Sequence, residues 1–243
     1  MASYTPTVSL DDPRTSAGGN GVLPPSRYDG DDFGSSFFET RLRRARLGLV
    51  VGLTGIAMIF ISFTSAYIVR QGLPTLDPRS NVLLHDWFPV PLPRLLLINT
   101  GVLLISSITM ELARRQTARK AALAQLASVP GVSVGAKEGI SWLALTVVLG
   151  LSFLSGQWMA WRELAASGFY VASSPSSSFV YLLTGMHGVH LLGGVVALLI
   201  AGVAAVLRRP ADSQFIAVDV TSWYWHFMAL LWVYILCLLE FVH

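Results

Sequence analysis

Three imidazoles stand out among the residues of this chain that could carry chemistry: His187, His190 and His226. Imidazole suits iron and copper, so a metal site is the first reading to weigh. His187-x-x-His190 sets two rings on one face of a helix, about 60° apart, and such a pair cannot sit on opposite faces of one haem. His226 belongs to another apolar segment and falls near the opposite boundary, so its depth differs from that of His187. No cysteine or carboxylate accompanies the three. The sequence therefore points to neutral imidazoles that donate and accept hydrogen bonds between helices or toward lipid headgroups.

The densest local feature is Trp223-Tyr224-Trp225-His226-Phe227. Amphipathic rings of this kind settle at a membrane boundary. The run could also cradle a lipid, with the rings on acyl chains and His226 on the phosphate. Glu163 lies beside Arg162 and reads as a solvated interfacial pair of small energetic weight. Glu111 and Glu240 lie near the ends of apolar runs, and Cys237 stands alone, so neither a disulfide nor a cysteine-rich metal site can form within the chain. Gly48 and Gly52, and Gly185, Gly188, Gly193 and Gly194 around the histidine pair, suit close helix packing. A phosphate-binding glycine loop, a Ser-His-Asp set and paired buried carboxylates are all missing, so the chain lacks the apparatus of an enzyme acting alone.

The elements that position these residues are membrane spans. The chain has 243 residues, 53% of them apolar and 13% charged, where a soluble domain carries about 25% charged residues. Mean hydropathy is +0.58. Five apolar segments are long enough to cross a bilayer as helices: 47–69, 95–113, 140–161, 179–207 and 221–242. The fourth exceeds what a core of roughly 30 Å requires and should tilt or project into water.

The net charge of +3 reads as a topology signal, and no nucleic-acid partner is expected. Arg14, Arg27, Arg41, Arg43, Arg44, Arg46, Arg114, Arg115, Arg119, Lys120, Lys137, Arg208 and Arg209 fall on one side, against Arg70, Arg79, Arg94 and Arg162 on the other. The positive-inside rule then predicts a cytoplasmic N-terminus and an external C-terminus. Residues 1–46 are expected to form a largely disordered cytoplasmic tail ahead of a single 47–243 membrane domain. The proline-rich stretch 70–94 is expected to be an irregular loop. Tyr67, Trp87, Trp142, Trp158, Trp161, Trp223, Tyr224 and Trp225 read as interfacial belt residues.

Several of these motifs resemble subunit III of the haem–copper oxidases. Ser178-Phe179-Val180-Tyr181-Leu182-Leu183-Thr184-Gly185-Met186-His187-Gly188-Val189-His190 is similar to that family's T-G-x-H-G-x-H helix. Asp219, followed by Trp223 to Phe227 and Trp232, resembles its E-x-x-x-W-Y-W-H-F ending. Gly156-Gln157 with Trp161–Phe169, and Asn99-Thr100 through Ser106-Ser107, look like two further family stretches. Family members usually have seven helices, and five suits the shorter bacterial forms. A buried Glu that the family often carries in the first of these helices is missing from Ile61-Ser62-Phe63-Thr64-Ser65-Ala66-Tyr67, and the acid after its W-H-F is Ala229 here.

The resemblance implies an all-α, multi-pass subunit of a bacterial cytoplasmic membrane. It would dock mainly on oxidase subunit I, beside subunit II and further small subunits, in a proton-pumping complex fed by cytochrome c or quinol. It would bind structural phospholipid and hold no cofactor of its own, haem and copper lying in the partners. It would also support proton uptake and complex stability. The residues expected to serve lipid binding or packing are His187, His190, Trp223, Trp225, His226, Asp219 and Glu163, with no catalytic residue and no metal ligand. The alternatives are a subunit-III-like accessory protein of a nitric oxide reductase, and a transporter or haem-b anchor. The lack of charges inside spans one and three opposes the last two.

Overall fold

A computed structural model describes residues 29–76, 83–84, 87, 90, 92–127, 141–171, 173–207 and 210–241. The chain divides into two units, Met1–Glu39 and Thr40–His243, and the contacts described below lie within the second. The part of the expected tail before residue 29 lies outside the described residues.

Five helices form: α1 (Asp29–Gly72), α2 (Leu95–Ala127), α3 (Trp142–Ala166), α4 (Pro175–Val206) and α5 (Ala211–Phe241). All five are long and apolar enough to cross a membrane. This is the expected all-α architecture, with one addition. Within the stretch expected to be an irregular loop, β1 (Thr75–Leu76) pairs antiparallel with β2 (Leu83–Leu84).

Several boundaries differ from the sequence-based ones. Helix α1 starts at Asp29 rather than at 47, α2 continues past 113 to Ala127, and α5 starts at Ala211 rather than at 221. Hydropathy marks only the lipid-covered part of a helix. Backbone hydrogen bonding carries on into the charged flank, where pairs such as Glu111 with Arg114 and Arg115 support it at i,i+3 and i,i+4 spacing.

Local signals set the turn between α3 and α4. Gly168 takes φ +89°, and its N–H reaches the Ala165 carbonyl while that of Phe169 reaches Leu164. This is a Schellman stop, and it favours glycine. Ser174 then caps α4. Its hydroxyl accepts from the Ser177 N–H at 3.2 Å and the Ser177 hydroxyl accepts from the Ser174 N–H at 3.2 Å, with Pro175 in the first turn.

Helices α2, α3, α4 and α5 form a ring in which each packs antiparallel on two neighbours: α2 on α3 and α5, and α4 on α3 and α5. Helix α1 lies over the α4–α5 side. Phe60 meets the His190 ring edge-on, Tyr67 meets Phe179, and Tyr234 Oη donates to Thr64 Oγ1 at 3.1 Å. Of the most apolar window of α1, 11% is buried, against 44% in α5. Helix α5 is thus the central element and α1 the one least buried within the chain.

Interhelical association in lipid relies on close packing and hydrogen bonds rather than on hydrophobic transfer. Both are present in the ring. Gly150 and Gly194 admit the indole of Trp225, which is buried, and a Cβ on Gly150 would stand 2.7 Å from its Cη2. Gly156 admits Asn99, whose amide donates to the Phe153 carbonyl at 3.0 Å. Trp225 Nε1 donates to Ser106 Oγ at 3.1 Å, and Trp232 Nε1 donates to Thr100 Oγ1 at 2.9 Å. Both bonds tie α5 to α2.

Candidate functional site

At the end of the ring where basic residues gather, three helices converge on one buried carboxylate. Asp219 on α5 is fully buried. Its Oδ2 accepts from Arg46 Nε of α1 at 2.9 Å, and its Oδ1 accepts from Arg114 Nη1 of α2 at 3.4 Å. Arg114 also grips Glu111 with two bonds, Nε to Oε2 at 2.8 Å and Nη2 to Oε1 at 2.9 Å. Arg115 Nε adds a third at 2.8 Å. His226 Nε2 lies 3.7 Å from Glu111 Oε2, and its Nδ1 is 2.5 Å from Ser107 Oγ. A serine hydroxyl donating to Nδ1 would place the proton of the neutral ring on Nε2, toward the carboxylate.

The sequence reaches these positions by simple spacing. Glu111, Arg114 and Arg115 lie within one helical turn. Ser107 is a turn before Glu111, and His226 is two turns beyond Asp219 on α5. Because α2 and α5 run antiparallel, Asp219 faces Arg114 while His226 faces Ser107. The cluster can lock three helix ends together and can exchange hydrogen bonds with phosphate or water at the membrane surface. Among the described residues no group of three His, Cys, Asp or Glu side chains is placed to hold a metal ion.

The expected site residues do not converge. His187 is fully buried in an aromatic slot, with ring centroids 5.0 Å from Trp232 and 6.0 Å from Phe153. Neither of its ring nitrogens has a partner among the described residues. His190 turns toward α1. Its Nδ1 bonds the Met186 carbonyl of its own helix at 2.7 Å, and its carbonyl accepts from Tyr224 Oη at 2.7 Å. Trp232, the neighbour of His187, is six residues along α5 from His226, about 9 Å of axial rise. The three imidazoles therefore occupy separate environments.

Residues 223–227, read as a membrane-boundary belt that could also cradle a lipid, point to different surfaces, because successive helical residues lie about 100° apart. Trp223 faces outward at 56% exposure, Tyr224 faces α4, Trp225 fills the core and His226 faces α2. Trp225, Tyr67 and Trp87, expected at the belt, are core residues instead, whereas Trp158 is 62% exposed as a belt ring should be. Glu163 is exposed at the opposite end of α3 from this cluster. Arg46, Arg114, Glu111 and Ser107 were not among the expected site residues. The i,i+3 and i,i+4 spacing of Glu111 with two arginines was the available signal.

The profile of the family described as "Cytochrome c oxidase subunit III" matches residues 34–242. The chain belongs to that family. A "Probable cytochrome c oxidase subunit 3" of Mycobacterium tuberculosis is 34% identical over 101 residues, which is 42% of this chain and 50% of that protein. The chain thus spans half the length of the mycobacterial relatives it matches. A relative of the same description from Nocardia farcinica is 26% identical over 81% of this chain and 87% of its own length. "Cytochrome c oxidase subunit 3" of Danio rerio is 27% identical over 78% of this chain and 66% of its own length. In this subunit III family member, Thr64 lies in the Ile61–Tyr67 stretch of the first helix, which carries no carboxylate. It donates to the Phe60 carbonyl at 2.8 Å and accepts from Tyr234.

Proposed function

We propose that this chain is the non-catalytic subunit III of a proton-pumping haem–copper terminal oxidase in aerobic respiration. It is seated in a bacterial cytoplasmic membrane with its N-terminus inside, and it docks on subunit I. The family match across residues 34–242 carries this reading. The exposed apolar faces of the five helices support it, since they suit lipid or a membrane-embedded partner. In this reading haem and copper reside in the partner subunits and pass electrons to dioxygen. The present chain contributes a helical scaffold and a polar cluster of Asp219, Glu111 and His226 on the side from which a pump draws protons. It also retains phospholipid at that surface.

Purification in mild detergent tests the assignment. Oxidase subunits I and II are expected to co-elute, with the visible haem spectrum belonging to the complex and no Soret band in the chain alone. Co-elution with a nitric oxide reductase instead would move the chain to that partner. One haem per isolated chain would overturn the reading.

A second measurement addresses the basic cluster. His226→Ala removes the partner of Ser107 and the ring facing Glu111. The variant complex is expected to lose phospholipid phosphorus, or to release this subunit at lower detergent, while keeping its rate of electron transfer. Unchanged lipid content together with unchanged complex stability would remove His226 from lipid and subunit retention.

A further inference from the structure

At the end of the ring opposite the basic cluster, α3 and α4 splay around a groove of about 750 Å³. Trp158, Trp161, Arg162, Tyr170, Tyr181 and Leu182 line it. Its floor is apolar because the polar tips of Trp161 and Tyr181 are engaged elsewhere. Trp161 Nε1 donates to Thr184 Oγ1 at 3.1 Å, and Tyr181 Oη donates to the Phe169 carbonyl at 2.9 Å. Ser178 at the rim donates to the Val171 and Ser174 carbonyls. The rings of Trp161 and Tyr181, 6.2 Å apart by centroid, both line the groove.

One charge remains at the mouth. Arg162 forms no ion pair or hydrogen bond with any described residue, and neither does the hydroxyl of Tyr170, whose backbone alone is engaged, by Ser173 and Ser177. Arg162 precedes the end of α3 at Ala166 by one turn, the level of a headgroup, while Trp158 and Leu182 lie a turn deeper on their helices. An arginine over an aromatic-walled apolar channel at the membrane boundary matches one ligand chemistry. The guanidinium and the phenol are free to donate to a phosphodiester, and the channel beneath takes an acyl chain.

We infer that the α3–α4 groove is a binding site for a single anionic phospholipid, its phosphate on Arg162 and Tyr170 and one acyl chain against Trp158, Trp161 and Leu182. The inference rests on the chain being a membrane-spanning subunit that retains lipid. It places that retention at a second site, independent of the His226 cluster.

The test is native mass spectrometry of the full chain, alone and in its complex, after exchange into nanodiscs of phosphatidylglycerol or of phosphatidylethanolamine. The wild type is expected to hold one phosphatidylglycerol that survives activation, and Arg162→Gln is expected to weaken that retention about tenfold, the loss of one charge-assisted contact. Leu182→Trp, which fills the channel while leaving the charge, is expected to weaken it as well. Arg94→Gln, an exposed arginine outside the groove, leaves it unchanged. Brominated acyl chains on phosphatidylglycerol should quench tryptophan emission in the wild type and less in Trp158→Phe.

Equal retention of the two lipids, or retention unaffected by Arg162→Gln and Leu182→Trp, overturns the site. So does loss of a protein subunit or of a chain dimer in either variant with lipid count unchanged, because the groove would then belong to a protein partner. His226→Ala reports on the other end of the bundle, so failure of the lipid reading there and failure of the groove are separately visible.

Discussion

Replacing Arg46 and Arg114 together by Met is expected to destabilise the folded bundle by about 3–5 kcal/mol, more than the two single changes combined. Asp219 is fully buried and takes its charge-assisted hydrogen bonds from those two guanidinium groups. Removing one leaves the carboxylate with the other. Arg46 is 46% exposed, so its single loss should cost only about 1 kcal/mol. Removing both strands a buried carboxylate between helices without a cationic partner, and breaking a buried pair from one side is the costly direction. Adding Asp219→Asn to the double variant should therefore restore part of the lost stability, although each change alone is harmful. Unfolding titrations in mixed micelles across the four variants give the coupling. A triple variant no more stable than the double would mean that Asp219 is not the centre of the cluster.

That network shows what the sequence could and could not disclose. The basic residues were legible as a topology signal, and Glu111 as an ionisable group close to the end of its span. What linear pattern does not carry is which arginine meets which acid across three helices. Arg46 and Asp219 are separated by 173 positions, and their meeting depends on α1 lying over the α4–α5 side. His226 shows the same limit. Its neighbourhood invited a lipid cradle made of consecutive residues, yet helical geometry sends those residues to four different surfaces. Only Trp223 keeps the expected outward face.

The fold was far more legible, because lipid leaves a continuous apolar run as the record of each span. All five helices lie where hydropathy put them. The misplaced boundaries of α1, α2 and α5 share one cause, since a helix does not end where the lipid does. The aromatic positions were harder to read. Interfacial and buried tryptophans have the same composition signature, and for Trp225 glycines on the facing helices decide between them. Trp158, beside no such gap, is exposed, whereas Trp225 enters the space left by Gly150 and Gly194.

The same gap defines the second large effect. Trp225→Ala is expected to cost about 3–5 kcal/mol, the range for emptying a buried aromatic site. It also frees Ser106 Oγ, which then keeps only its 3.5 Å contact with the Thr146 carbonyl. Gly150→Ala should be harmful for the opposite reason. The new Cβ would stand 2.7 Å from Cη2 and 3.0 Å from Cζ2 of an indole that is already fixed by Ser106, and overpacking of this kind costs about 1–3 kcal/mol. Because one ring causes both penalties, they cannot add. Trp225→Phe removes the benzo edge that the methyl would strike, so Gly150→Ala should be much less damaging on that background. Thermal unfolding of the four proteins, followed by helical circular dichroism in detergent, measures the cycle. Strict additivity would show that α3 can move away from α5 without loss, and that the glycine–indole contact does not set the spacing of the ring.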